Sequence, residues 1–271
     1  MGNRIRVRVL LALVVLLMIA VPGVQPARAE TVTVTPIKIM PFGDSITTSK
    51  DPYSSYRCEL DHSLHAAGIP FIYAGTQTTN FDDHNPLCGD PLSDYDHHHE
   101  GHSGAMAWDF LHTDNWTGDP KYTLDYILSQ NVPDMVLMHL GTNDLDQNHA
   151  LSQIISDLGS LIDQFRAKNP QVIILIAQII PCDPVQIGPW CFNVDDLNAL
   201  IPGLAVQKNT VISPVVVVDQ FTGFSRTADT MDGIHANSSG DAKMAAKWFE
   251  KIQIWWNYSP QHMFIPVVIN G

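Results

Sequence analysis

Hydrophobic residues along this chain fall into two kinds of pattern. Mainly apolar stretches at Ile37–Met40, Phe71–Ala74, Met135–Leu140, Val172–Ile179 and Val215–Val218 predict five strands, and Met135–Leu140 reads as a strand of a parallel sheet covered on both faces. Between them the apolar positions recur every three or four residues. Tyr56, Leu60, Leu64 and Ala67 predict a helix over Ser54–Gly68, with Gly68 in the position of a C-terminal cap. Leu151, Ile154, Ile155, Leu158, Leu161, Ile162 and Phe165 give the strongest helical rhythm, stopped by Asn169-Pro170. Asp195–Ala205 reads as a helix bent at Pro202, and Ala242, Ala245, Ala246, Phe249, Ile252 and Trp256 line one face of a last helix. Strands alternate with helices throughout, which predicts an α/β fold with a mostly parallel five-stranded sheet and right-handed crossovers. Ligands in such sheets bind beyond the carboxyl ends of the strands. One segment breaks the alternation. Gly75–Gly104 is long, polar and rich in Asp, His, Asn and Gly, and loops of that length inside a domain are usually functional.

Composition changes the picture at the ends. The chain has 271 residues, 45% of them apolar, enough for one sizeable core. Arg4, Arg6 and Arg8 precede an apolar run from Val9 to Val21, and Pro26-Ala27-Arg28-Ala29 supplies small residues. This predicts a secretory signal peptide over 1–29 cleaved after Ala29, hence a secreted protein, extracellular or periplasmic, with no stable membrane insertion afterwards. The catalytic domain is then expected over 30–259, followed by a tail over 260–271 whose Met263–Asn270 stretch is apolar. Removing 1–29 takes four arginines and no acid, leaving 11 bases against 28 acids and a net charge of −17 rather than −13. Such a surface disfavours nucleic acid, anionic lipid and polyuronates, and favours neutral partners. Cys58, Cys88, Cys182 and Cys191 allow three pairings, of which the sequence neighbours, Cys58–Cys88 and Cys182–Cys191, are expected. Asn115, Asn237 and Asn257 stand in glycosylation sequons.

Chemistry gathers where predicted strands end. The first runs into Gly43-Asp44-Ser45, a turn that exposes a serine as a nucleophile. The third ends in Gly141-Thr142-Asn143-Asp144, where the Asn143 amide is placed to donate to an oxyanion. The fifth is followed by Asp232-Gly233-Ile234-His235. A carboxylate three residues before a histidine can accept from Nδ1–H and leave Nε2 to take a proton from a serine. The polar segment closes with His99-Glu100-Gly101-His102-Ser103-Gly104, whose last glycine permits close backbone approach.

These four blocks, in this order, resemble the SGNH (GDSL-type) hydrolases over about residues 37–256. The resemblance implies a three-layer α/β/α, flavodoxin-like fold, with Ser45 as nucleophile, His235 as general base and Asp232 as its orienting acid. It implies oxyanion donors at Ser45 N–H, Gly104 N–H and the Asn143 side chain, and no cofactor. Ile39–Thr47, Ser55-Tyr56-Arg57, His99–Gly104 and Gly141–Leu145 are similar to carbohydrate esterase family three, whose members include acetylxylan esterases. This chain departs from that pattern on the acceptor side: Ala105 stands where an aromatic usually follows Ser-Gly, with Trp108 coming later, Ala236 where a proline often follows the histidine, and no glycine follows soon after the first block.

The expected function is therefore a secreted serine esterase that removes acetyl groups from a carbohydrate. The rival readings are a lipid, lysophospholipid or thioester hydrolase on the same scaffold, and a non-catalytic glycan-binding relic. Asp44, Tyr95, Trp108 and Trp190 are the expected substrate contacts, with Trp116 a further aromatic for stacking on sugar rings. Asp94, Asp96, His97, His98, His99, Glu100 and His102 form the one candidate ion-binding stretch, in a structural capacity; no catalytic metal is expected.

Overall fold

The computed structural model describes residues 35–50, 55–80, 88, 95–115 and 117–258. The expected leader over 1–29, the expected tail over 260–271, Trp116 and Asp94 lie outside the described residues.

The expected strands form a parallel sheet. Strands β1 (Ile37–Gly43), β2 (Phe71–Tyr73), β4 (Met135–His139), β5 (Ile173–Gln178) and β6 (Val215–Asp219) pair in the order β2-β1-β4-β5-β6. A sixth, β3 (Glu100–Gly101), pairs with the end of β1 at Phe42 and Gly43. It lies within the polar segment expected to be loop, because two residues are too short to carry a period-2 signal. Both cores come from the same mainly apolar runs, because successive side chains point to opposite faces. Met40, Phe42, Val136, Met138, Ile174 and Ile176 enter one core, while Ile37, Ile39, Met135, Leu137, Ile173 and Leu175 enter the other.

Helices α3 (Leu124–Gln130), α5 (Leu151–Lys168) and α6 (Asn193–Lys208) cover the first face. Helices α2 (Tyr56–Ala66) and α7 (Ser238–Tyr258) cover the second. Gly68 does end α2: at φ 67 it lets its own N–H bond to His65 O at 3.0 Å and the Ile69 N–H to Leu64 O at 3.1 Å. The last helix buries most of the expected face, with Ala245 and Ile252 in the core and Phe249 and Trp256 packed against it, but the buried side is rotated. Ala242 and Ala246 are exposed, whereas Met244 and Trp248 are fully buried. Trp248 packs over Tyr56 at 6.1 Å between ring centroids, and the bulk of that indole outweighs two alanines in choosing the buried side.

Pro41 sits inside a central strand, normally a poor place for a residue without an N–H. Ile39 O accepts from Ala74 N and Gly43 O from His102 N, so the odd positions of β1 face β2 and β3. Pro41 falls in the gap between those two strands, where no donor is missed.

Candidate active site

Ser45 sits two residues beyond β1 and opens α1 (Ser45–Thr48), a single turn. An isolated turn cannot hold itself together, and four groups brace this one. Gly43 has no room for a side chain, since a Cβ there would collide with Thr47 Oγ1 and His139 O. Asp44 caps the turn by accepting from Ile46 N at 2.9 Å. Arg57, fully buried, donates through Nε to Thr47 O at 3.1 Å and through Nη2 to Thr48 O at 3.2 Å. Ser55 Oγ also donates to Thr47 O, at 3.1 Å. These bonds satisfy carbonyls that a helix end leaves open. The Ser45 N–H, at the first helical position, has no acceptor within the helix.

The histidine arrives from the loop before α7. His235 Nε2 lies 2.9 Å from Ser45 Oγ, and Nδ1 lies 2.7 Å from Asp232 Oδ2. Asp232 Oδ1 also accepts the His235 N–H at 2.9 Å and the Ile234 N–H at 3.2 Å. Partial burial pushes the Asp232 carboxyl up, but these hydrogen bonds and the facing imidazole outweigh it and hold the pKa below the ordinary carboxylate value. The loop is itself buttressed, because Asp183 N donates to Gly233 O at 2.7 Å. Asp183 belongs to the loop closed by the Cys182–Cys191 disulfide.

The third contribution comes from the chain after β3. Gly104 adopts φ +81, a conformation that favours glycine, and nothing would obstruct a Cβ there. Conformation, not space, selects the glycine. Asn143, in α4 (Thr142–Asp146) just past β4, donates from Nδ2 to Ala105 O at 3.0 Å. An amide nitrogen carries two hydrogens, so one remains for a ligand. Ser45 and Asn143 thus stand beyond the carboxyl ends of adjacent strands β1 and β4. Chain connections depart in opposite directions there, the crevice where open α/β sheets bind ligands. A cleft of about 230 Å³ opens at this point, lined by Ser45, Ser49, Lys50, Ser103, Gly104 and His235.

The expected substrate contacts do not all reach it. Asp44 is fully buried. Its Oδ1 caps the helix, burial pushes the carboxyl up to about 7, and it does not line the cleft. Tyr95 is also buried, packed with Cys58, Cys88 and the His97 ring. Trp190 is half-buried against the core beneath α6, with its indole nitrogen enclosed. Trp108, by contrast, lines a hollow.

The histidine-rich stretch does not converge either. His98 Nδ1 pairs with Asp96 at 2.6 Å, His102 Nε2 with Glu100 at 2.6 Å, and His99 Nε2 donates to Thr79 O at 2.8 Å. Neighbouring residues of an extended chain point to opposite sides, so each imidazole finds its own partner. Among the described residues the one ligand-like group is Cys58, His62 and Cys88, and those cysteines are joined as a disulfide, as are Cys182 and Cys191.

Sequence reading gave Arg57 and Asp144 no role from their own chemistry. Each acts on backbone far along the chain: Arg57 Nη1 also donates to His97 O at 2.8 Å, and Asp144 accepts from Ala107 N.

This arrangement has known counterparts. The chain belongs to the GDSL-like lipase/acylhydrolase family, whose model matches residues 42–243. It is 30% identical over 235 residues to a multidomain esterase of Ruminococcus flavefaciens, a match covering 80% of this chain and 28% of the relative's length. A carbohydrate esterase of family 3 from Talaromyces cellulolyticus superposes with a TM-score of 0.67 at 28% identity, over 82% of this chain and all of that one. An acetyl esterase solved with an acetate ion gives 0.66 at 28% identity, over the same shares of the two chains. No helix among the described residues is long and apolar enough to cross a membrane.

Proposed function

We propose that this protein removes acetyl groups from a carbohydrate through an acyl-enzyme on Ser45. The observation that carries the reading is the relay Asp232–His235–Ser45, closed at 2.7 and 2.9 Å, opening into a cleft of only about 230 Å³. Ser45 Oγ attacks the ester carbonyl as His235 Nε2 takes its proton, and Asp232 holds the imidazole in the required tautomer and stabilises the imidazolium. The oxyanion forms against the Ser45 N–H, the Gly104 N–H and the second hydrogen of Asn143 Nδ2. The imidazolium then gives its proton to the departing sugar hydroxyl, and the neutral histidine activates water to release acetate. Every step uses groups of the chain itself. The family 3 relative and the acetate-bound acetyl esterase support the acyl group and substrate class, and the acidic composition favours a neutral glycan. With the leader read over 1–29 and the two disulfides, the site of action is outside the cytoplasm.

The test is acetate release from acetylated xylan and from p-nitrophenyl acetate by the wild type and Ser45→Ala. Release from both by the wild type and from neither by the mutant is expected. Appreciable turnover by Ser45→Ala ends the acyl-enzyme reading. Cleavage of the aryl ester without any acetylated glycan leaves an esterase but removes the carbohydrate.

A further inference from the structure

The chain leaving β3 walls two hollows in succession. Gly104 lines the cleft at Ser45; Met106 lines a neighbouring cavity of about 420 Å³, completed by Trp108, His149, Ala150 and Gln153. Two residues of chain span at most about 7 Å, so one ligand of ordinary size can occupy both.

The walls of the second hollow specify what fits. Trp108 is half-buried, with one face stacked on the His112 ring at 4.1 Å and 16°. His112 Nδ1 is tied to Trp108 O at 2.8 Å. The indole is therefore held from one side, and the hollow meets the remainder of the ring. Met106 adds a polarisable thioether. His149 is anchored by its backbone N–H on Asp144 O at 2.9 Å, and its Nδ1 turns inward, 3.8 Å from Asp144 Oδ1. Nε2 is left on the outer side of the ring. Gln153 spends its amide nitrogen on Asp157 at 2.8 Å and keeps its oxygen as an acceptor. Among the described residues no Asp, Glu, Lys or Arg lines this hollow. An aromatic surface with a few polar atoms at its edge and no carboxylate, ammonium or guanidinium group suits a neutral ring that is apolar on its face and hydroxylated around its rim. An acyl chain would leave those polar atoms unpaired.

We propose that this hollow is the acceptor subsite of the enzyme and holds a neutral pyranose of the acetylated glycan, stacked on Trp108 with its hydroxyls toward His149 and Gln153. The proposal rests on the carbohydrate esterase reading and makes it specific. It places substrate selection on the loop Gly104–Trp108, which also walls the acyl cleft. It separates Trp108 from Tyr95 and Trp190, whose rings are taken up in packing.

The experiment compares kcat/KM on acetylated xylo-oligosaccharide with kcat/KM on vinyl acetate, which carries no ring. Wild type, Trp108→Ala, Trp108→Phe and Gln153→Ala are measured, with a thermal melt of each. The ratio of the two values should fall about tenfold in Trp108→Ala, as for an aromatic anchor, chiefly through KM, and should fall less in Trp108→Phe. Xylohexaose binding to Ser45→Ala, followed by calorimetry, should weaken to match when Trp108 is also replaced. If Trp108→Ala melts early, Trp108→Phe and Gln153→Ala decide in its place. An unchanged ratio with normal glycan turnover overturns the subsite and leaves the parent reading standing. Vinyl acetate turnover without release from any acetylated glycan overturns the parent reading instead. A selective loss on octanoyl esters assigns the hollow to an acyl chain and also overturns the proposal.

Discussion

Asp144 grips the backbone of Ala107: its two carboxylate oxygens accept the Ala107 N–H at 3.0 and 3.2 Å. Its neighbour Asn143 donates to Ala105 O at 3.0 Å. Two consecutive side chains after β4 thus hold the strand-following loop by one acceptor and one donor, and Gly104 lies just upstream. The position of the Gly104 N–H is set from this contact.

The first consequence concerns the acid in that grip. Burial pushes the Asp144 carboxyl up to about 6, against the Ala107 N–H and His149, which favour the charged form. Below pH 6 the carboxyl takes a proton and a charge-assisted bond becomes a neutral one, roughly half as strong. Asp144→Asn keeps the shape without the charge. It should lower kcat about tenfold at pH 7.5, with KM nearly constant, for a difference of roughly 1–1.5 kcal/mol between the two kinds of bond. The wild-type advantage should shrink as the pH falls through 6. A pH profile of kcat for both proteins checks this; a constant ratio from pH 5 to 8 would show that the charge of Asp144 is irrelevant to turnover.

Asn143→Ala removes both the loop contact and the proposed oxyanion donor. The expected loss in kcat is about 10²–10³, the range for one such donor. A loss below tenfold in steady-state assays would return Asn143 to a structural role.

Asp44 carries the clearest linkage between charge and stability. Burial raises its pKa from an ordinary 3.8 to about 7, so the folded chain holds this proton more tightly than the unfolded one. Its contribution to stability is complete below about pH 4 and is lost as the pH rises through 7. Asp44→Asn still accepts from Ile46 N but has no charge to bury. Its melting temperature should exceed the wild type's by at least about 3 °C at pH 8, with the gain vanishing toward pH 4. Melting curves across that range are the check, and a gain that does not vary with pH contradicts the burial argument.

Acyl length tests the small cleft. Each buried methylene is worth about 0.8 kcal/mol when apolar surface is there to receive it. The cleft of about 230 Å³, walled by three serines, Gly104, His235 and Lys50, is too small to enclose a long chain. Acetyl esters should be cut faster than butyryl, and octanoyl barely at all, in kcat/KM over the C2 to C8 series. An optimum at C6 or beyond transfers the case to a lipid esterase.

Exhaustive chelation should leave turnover within about twofold, since the partners of His98, His99 and His102 are protein groups and the relay itself is built from protein groups. Activity lost to chelator and restored by one metal ion would reverse this.

The sequence alone determined the strand positions, because strands packed between helical layers are mainly apolar. Five such runs are visible by eye, broken only by Lys38, His139 and Gln178. It also determined the strand-end blocks, since Gly43, Gly104 and the Asp232–His235 spacing answer to local backbone and side-chain geometry. Tertiary structure decided the rest. Which face of α7 is buried depended on where Tyr56 offered a place for Trp248. Asp44, adjacent to the nucleophile in sequence, turned inward, and Tyr95 was taken up around the Cys58–Cys88 bridge. The grips of Arg57 on His97 and of Asp144 on Ala107 span 40 and 37 residues. A side chain that bonds to distant backbone leaves no periodic trace, because any residue type can supply the carbonyl or N–H at the other end.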